Sequence, residues 1–151
     1  MIGEMKPKEI EELLRRETTG RIGCHSDRRT YVVPITYVYA AGSVYGHSPE
    51  GMKIRMMRQN PEVCFEVDRI QGATDWQSVI AWGRFEELQG EEAFRAMDLW
   101  IERFAGLVVS ETSHPSYVLR RAAGGSPPNY GRGVILYRIA LTEKTGRFES
   151  R

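Results

Sequence analysis

Two periods of apolar spacing divide this chain. In "PKEIEELLRRET", Ile10, Leu13 and Leu14 recur at helical intervals, and Pro7 stands near the first turn, where its missing N–H is not needed. A short amphipathic helix is predicted there. The period then falls to two. "GRIGCHSD" alternates through Ile22 and Cys24, "SDRR" reads as a turn, and "TYVVPITYVYA" places Val33, Ile35, Tyr37 and Tyr39 on one face, so the two runs form a hairpin. "AGSVYGHS" gives a third strand after an Ala-Gly turn, and "GMKIRMMRQN" a short helix stopped by Asn60 and Pro61.

Strands resume with "EVCFEVDRI", which turns Val63, Phe65 and Val67 inward, and after the polar loop "QGATD" comes the long run "WQSVIAWGRFEEL". The strongest helix is "GEEAFRAMDLWIERFAG", carrying Phe94, Met97, Leu99, Trp100, Ile101 and Phe104. A Gly/Pro-rich segment with neither period, Ser110 to Arg132, precedes a last strand, "GVILYRIALTEKTGRFE". No repeat recurs. The pattern predicts a mainly β (α+β) chain, a closed or nearly closed small barrel with helices at its edges.

Composition narrows the classes of function. With 151 residues, 41% of them apolar and 27% charged, the chain has the size of one domain with a true core, spanning residues 1–151. A net charge of +1 supplies no footprint for a nucleic-acid backbone or an anionic membrane. No apolar run approaches the roughly 18 residues of a membrane span, and Met1 to Pro7 lacks a signal-peptide core, so the expected compartment is the cytoplasm. Cys24 and Cys64 have no CxxC spacing and read as reduced, small apolar side chains. His25, His47 and His114 share no metal-binding spacing, and no GxGxxG, P-loop or HExxH motif occurs. No metal site is predicted.

The chemistry concentrates where "VYGHSPEGMKIRMM" breaks from strand to helix. Free N–H groups of a helix start, the Ser48 hydroxyl and the Lys53 ammonium would surround one point, which suits a dianionic phosphate, with Arg55 or Arg58 adding charge. The plainer reading makes Ser48 an N-cap, Pro49 the first helical residue and Lys53 a solvated cation. Pro34 interrupts a strong strand, marking either an ordinary edge or a place where a flat ring approaches the backbone. In "WQSVIAWG", Gln77 and Ser78 either line a pocket or face water.

Taken in order, "YVVPITYVYAAGSVYGHSPEGMKIRMMRQNPEVCFEVD", "WQSVIAWGRFEEL" and "LYRIALTEKTGR" resemble the nitroimidazole-resistance branch of the pyridoxamine 5'-phosphate oxidase-like flavoproteins. The resemblance runs from about Gly20 to Arg147. It implies a six- to seven-stranded antiparallel split β-barrel with peripheral helices, a homodimer, and one non-covalent FMN at each subunit interface. By that likeness Ser48 and Lys53 take the phosphate with Gln77 and Ser78 contributing, the backbone of Pro34, Ile35 and Thr36 edges the isoalloxazine, and His47 lies near the ring as the one candidate catalytic group. The implied activity is FMN-dependent reduction of a small electron-poor substrate, nitro-aromatics included. A flavin-binding carrier or sensor, or a haem- or deazaflavin-binding relative, is the alternative. The C-terminal Trp and Arg-Leu-x-Pro element of true pyridoxamine phosphate oxidases have no counterpart in "TGRFESR", so vitamin B6 synthesis is not expected. The segment Ser110 to Arg132 reads as a surface loop, or as a lid or partner arm presenting Arg120, Arg121 or Tyr130.

Overall fold

Alternation decides which face of each strand is buried, and the sheet follows from it. The computed structural model describes residues 1–104 and 134–151. In chain order these form β1 (Ile2–Glu4), α1 (Pro7–Arg16), β2 (Thr19–Ser26), β3 (Arg29–Thr36), β4 (Val38–Ala40), β5 (Ser43–Ser48), α2 (Met52–Gln59), β6 (Glu62–Gly72), β7 (Asp75–Glu87), α3 (Gly90–Phe104) and β8 (Ile135–Glu149). Every strand pairing is antiparallel. The three helices stand where the sequence predicts them. Strand number differs: eight strands are described where six or seven are expected. One addition is β1, three residues too short to show a period, which pairs with the far end of β8. The other arises because the run "TYVVPITYVYA" forms two strands.

That division shapes the molecule. The strands lie in the order β3-β2-β6-β7-β8-β5-β4, so the two ends of the sheet, β3 and β4, are consecutive in the chain and separated by Tyr37 alone. The sheet curls back on itself without a ladder between its ends, which is a split barrel. At the corner the backbone N–H of Tyr37 donates to the Thr18 carbonyl (2.9 Å), and its hydroxyl donates to the Leu14 carbonyl (2.7 Å). Tight turns with left-handed backbone, Asp27 and Arg28 in one and Ala41 and Gly42 in the other, close the two flanking hairpins.

Inside lie Val63, Phe65 and Val67 of β6, as the alternation predicts, together with Tyr37, Tyr39 and Val44. Helix α1 lays Ile10, Leu13 and Leu14 into the same core. Helix α3 instead packs its small residues Ala93 and Ala96, with Met97, against Leu136 and Leu88 in a second cluster. Gly46 on β5 leaves room for the Tyr137 ring opposite it, since a Cβ there would stand 2.6 Å from the Tyr137 hydroxyl.

The outward sheet face is less covered. Register sets Pro34, Arg21, Glu66 and Ile80 in one row across β3, β2, β6 and β7, and Val32, Gly23, Cys64 and Trp82 in the next. Val32 is 65% exposed and Trp82 40%, large values for apolar side chains on a regular sheet. No helix among the described residues is long and apolar enough to cross a membrane.

Candidate functional site

The split leaves one edge of β3 without a strand neighbour among the described residues. Pro34 has no N–H to offer there, and among the described residues β3 is hydrogen-bonded only to β2, so the proline sits where no described ladder bond is lost. Beside this edge opens a cleft of ≈ 390 Å³, whose walls come from β3, the end of β5, the start of α2 and α3. Pro34, Ile35, Thr36, His47, Ser48 and Lys53 all line it. Its volume is within the range of about 300–1,000 Å³ usual for small-molecule sites.

The α2 end of the cleft is cationic. Helix α2 starts at Met52 with Gly51 as N-cap and no side-chain cap, which leaves its first N–H groups without a side-chain acceptor. Ser48 is therefore not the N-cap and Pro49 not the first helical residue; the buried Ser48 hydroxyl donates to the Pro49 carbonyl (2.8 Å). Lys53 is half-buried and has no acidic partner among the described residues. Burial pushes its ammonium below the ordinary lysine value, only partly offset by the nearby Cys24 thiol. Arg58 does not add charge here. It is held by Glu50 and Glu87, each at 2.5 Å.

At the α3 end the cleft is aromatic. The His47 ring meets the indole of Trp100 edge to face, with centroids 4.4 Å apart at 65°, and Trp100 in turn leans on Phe104 at 4.6 Å. Burial, then the Lys53 charge, hold His47 below the usual histidine range, so its imidazole is neutral at pH 7. Trp100 is a lining residue that sequence reasoning names only among the apolar positions of the helix, without a role at the site. A signal was present: Ala93, Ala96 and Met97 lead at helical spacing to Trp100, an abrupt change from small to large on one face.

Gln77 and Ser78 are not brought to this cleft within one chain. As neighbours on β7 they point to opposite faces of the sheet. Gln77 lines a separate polar recess and accepts from Arg16 (3.5 Å), while Ser78 lies on the outward face and donates to Glu66 (3.4 Å). That face also holds a wider recess of ≈ 630 Å³ beside Trp82, with no lysine or arginine among the described residues that line it. His114, Arg120, Arg121 and Tyr130, and the lid or arm predicted over Ser110 to Arg132, lie outside the described residues. Among the described residues no group of three potential metal ligands occurs.

A split antiparallel barrel with a cationic and aromatic cleft at the split is the class that fold and site define. The chain belongs to the pyridoxamine 5'-phosphate oxidase family, whose profile matches residues 6–147. An uncharacterised protein of Rhizobium meliloti (strain 1021) is 33% identical over 84 residues, which span 56% of this chain and 56% of that protein. Among solved structures, an FAD-binding protein from Mesorhizobium loti superposes with TM-score 0.74 at 26% identity, covering 99% of both chains. A protein assigned to 5-nitroimidazole antibiotic resistance in Bacteroides thetaiotaomicron gives 0.71 at 19% identity, over 98% of this chain and 87% of that one. The FAD-binding protein of Mycobacterium smegmatis gives 0.65 at 22% identity, over 97% and 98%. The last two likenesses concern the fold alone.

Proposed function

We propose that the cleft binds FMN and that the protein is an FMN-dependent oxidoreductase, working as a cytoplasmic homodimer on small electron-poor acceptors such as nitro-aromatics. The observation that carries this reading is Lys53, a half-buried cation without an acidic partner among the described residues, next to an uncapped helix start and a buried serine. Such a set fits a phosphate dianion. Ser48 and Lys53 hold the phosphate, and the backbone of Pro34, Ile35 and Thr36 edges the ring. His47, neutral at pH 7, is the group able to give or take a proton beside it. When bound, the flavin supplies hydride or electron transfer, while the protein orients it and controls access.

The homodimer reading is supported by the outward face. The row that starts at Pro34, on the cleft, ends at Ile80, and Trp82 lies in the adjoining row. A second copy docked there would cover apolar surface and bring Ser78 toward its neighbour's cleft, the role that Gln77 and Ser78 lack within their own chain. Tyr37 and Tyr39 are buried in the barrel and take no part in that surface. Cys24 and Cys64, both free thiols, suit a reducing compartment.

FAD is the rival cofactor, because two structural neighbours are FAD-binding proteins. Heat-released ligand, or ligand bound from an equimolar mixture, is expected to run as FMN on chromatography; FAD alone would show that the cleft was wrongly read as closing on a terminal phosphate. Activity is tested on the flavin-loaded protein without oxygen. NADH or NADPH should bleach the flavin and a nitro-aromatic should restore it faster than buffer does. A flavin that cycles through neither half belongs to a carrier or sensor, a reading favoured by His47 being the one imidazole or carboxylic-acid side chain among the described residues lining the cleft. A haem or deazaflavin spectrum in place of a flavin's would remove the FMN reading altogether.

A further inference from the structure

Between His47 and Gln59 the chain carries one carboxylate side chain, Glu50, two residues after Ser48 and three before Lys53. Its natural partners are close at hand. An acidic side chain just ahead of a helix is drawn to the free N–H groups and positive dipole end of the first turn, and Lys53 adds a full charge beside them. Glu50 goes elsewhere. No side chain caps α2, and Glu50 is absent from the described residues that line the cleft. Its Oε1 accepts instead from Nη1 of Arg58 at 2.5 Å, near the other end of α2, while Nη2 of the same guanidinium donates to Glu87 at 2.5 Å. Arg58 follows Lys53 by five residues, which turns it about 140° away around the helix. Glu87 ends β7, so the arginine is tied to the sheet as well as to its own helix. Stability does not account for this arrangement. All three side chains are partly exposed, and ion pairs so open to water contribute little to folding. Their effect lies in where a negative charge is kept.

We propose that Arg58 is a positioning residue of the cleft: by holding Glu50 on the far flank of α2, it keeps the protein's own carboxylate away from Lys53 and the helix start, where a phosphate dianion would bind. The inference rests on the reading of the cleft as a flavin site and adds to it a residue that acts without touching the cofactor. Released from Arg58, Glu50 would pair with Lys53 or accept from the first-turn N–H groups, and it would repel the dianion as well. Arg58 thus governs the phosphate end of the cleft through Glu50.

The test is a double-mutant cycle read by FMN titration. Arg58→Ala should weaken FMN binding about tenfold, and Arg58→Ala combined with Glu50→Gln should bring it back to the wild-type value, because the amide carries no charge to misplace. Arg58→Lys, which keeps a cation within reach of Glu50, should lose less than Arg58→Ala. Riboflavin has the same ring and no phosphate, so its affinity should be the same in Arg58→Ala as in wild type. Wild-type FMN affinity in Arg58→Ala would overturn the inference while leaving the site reading intact. A loss that Glu50→Gln does not repair, or one shared equally by riboflavin, would overturn it too, since Arg58 would then be a support for α2 and nothing more. Failure of the wild type to bind FMN or FAD would overturn the site reading and the inference with it.

Discussion

Arg21 and Lys53 are both half-buried cations, and they stand in opposite circumstances. Arg21, on the outward face, reaches Glu66 at 3.4 Å and Asp68 at 3.1 Å, and Ser78 adds a further bond to Glu66. That network is complete in itself. Lys53 has a neutral imidazole and a thiol for company and no carboxylate among the described residues. The difference separates a charge kept by the fold from a charge kept for something the fold does not contain. Residue type alone would not distinguish them.

The sharpest way to break this comparison is to delete each cation. Lys53→Ala should weaken FMN binding about ten- to a hundredfold, as expected for a charge-assisted contact of roughly 1.5–3 kcal/mol, without lowering the melting temperature of the flavin-free protein. Arg21→Ala should leave the intrinsic FMN affinity of the cleft near wild type. Equal losses in both titrations would erase the distinction.

A second test disrupts the face that Arg21 occupies. Trp82→Asp places a charge on the exposed apolar row and should convert a dimer into a folded monomer at micromolar concentration, read by sedimentation. A wild-type monomer under those conditions would remove the dimer reading.

The acidic partners of Arg21 give a smaller, pH-dependent effect. Burial, then the neighbouring Asp68, push the Glu66 carboxyl up to about 7. The folded chain holds that proton where an unfolded chain, titrating near 4.5, has released it, so stability declines as pH rises from about 4.5 through 7. Glu66→Gln should remove the decline and gain about 1 kcal/mol over wild type at pH 8 in denaturant titrations. His47 has the opposite sign. Its depressed value means that stability present above its ordinary 6.5 is lost as pH falls below it, and His47→Gln should flatten that acid limb. Least of all, Arg21→Ala should lower stability by under about 1 kcal/mol, because its side chain is 41% exposed and solvent screens its ion pairs.

What was legible in the sequence follows the range of the interactions involved. Strict alternation in "EVCFEV" leaves little choice of face, and Val63, Phe65 and Val67 are all inside. The break at His47 to Lys53 was legible because it is local, a strand end and a helix start within a few residues. Its capping was not: the chain needs three more residues after Ser48 before it turns helical, so Gly51 takes the cap. The corner at Tyr37 was hidden because an apolar run does not say when it changes partner, and β3 and β4 pair with different strands. Gln77 and Ser78 are adjacent on β7, and adjacency on a strand turns their side chains to opposite faces, which a list of neighbouring polar residues does not show. The place of Trp100 at the cleft is not legible because helical spacing identifies a face and not what lies against it.

Strand β8 also sets a timetable. It bonds to β7 along most of its length, to β5 through Ser43–Ser48 and to β1 at its far end, so three parts of the sheet depend on one segment made after residue 134. Until that segment is synthesised, β5 and β7 both present unpaired edges, and the cleft wall formed by His47 and Ser48 has no strand behind it. Closing contacts across roughly 90 residues of chain is slow, since the loop entropy must be overcome before any bond forms. The nascent protein therefore passes through a stage with its outer apolar row exposed and its barrel open, when holding by a chaperone would matter most.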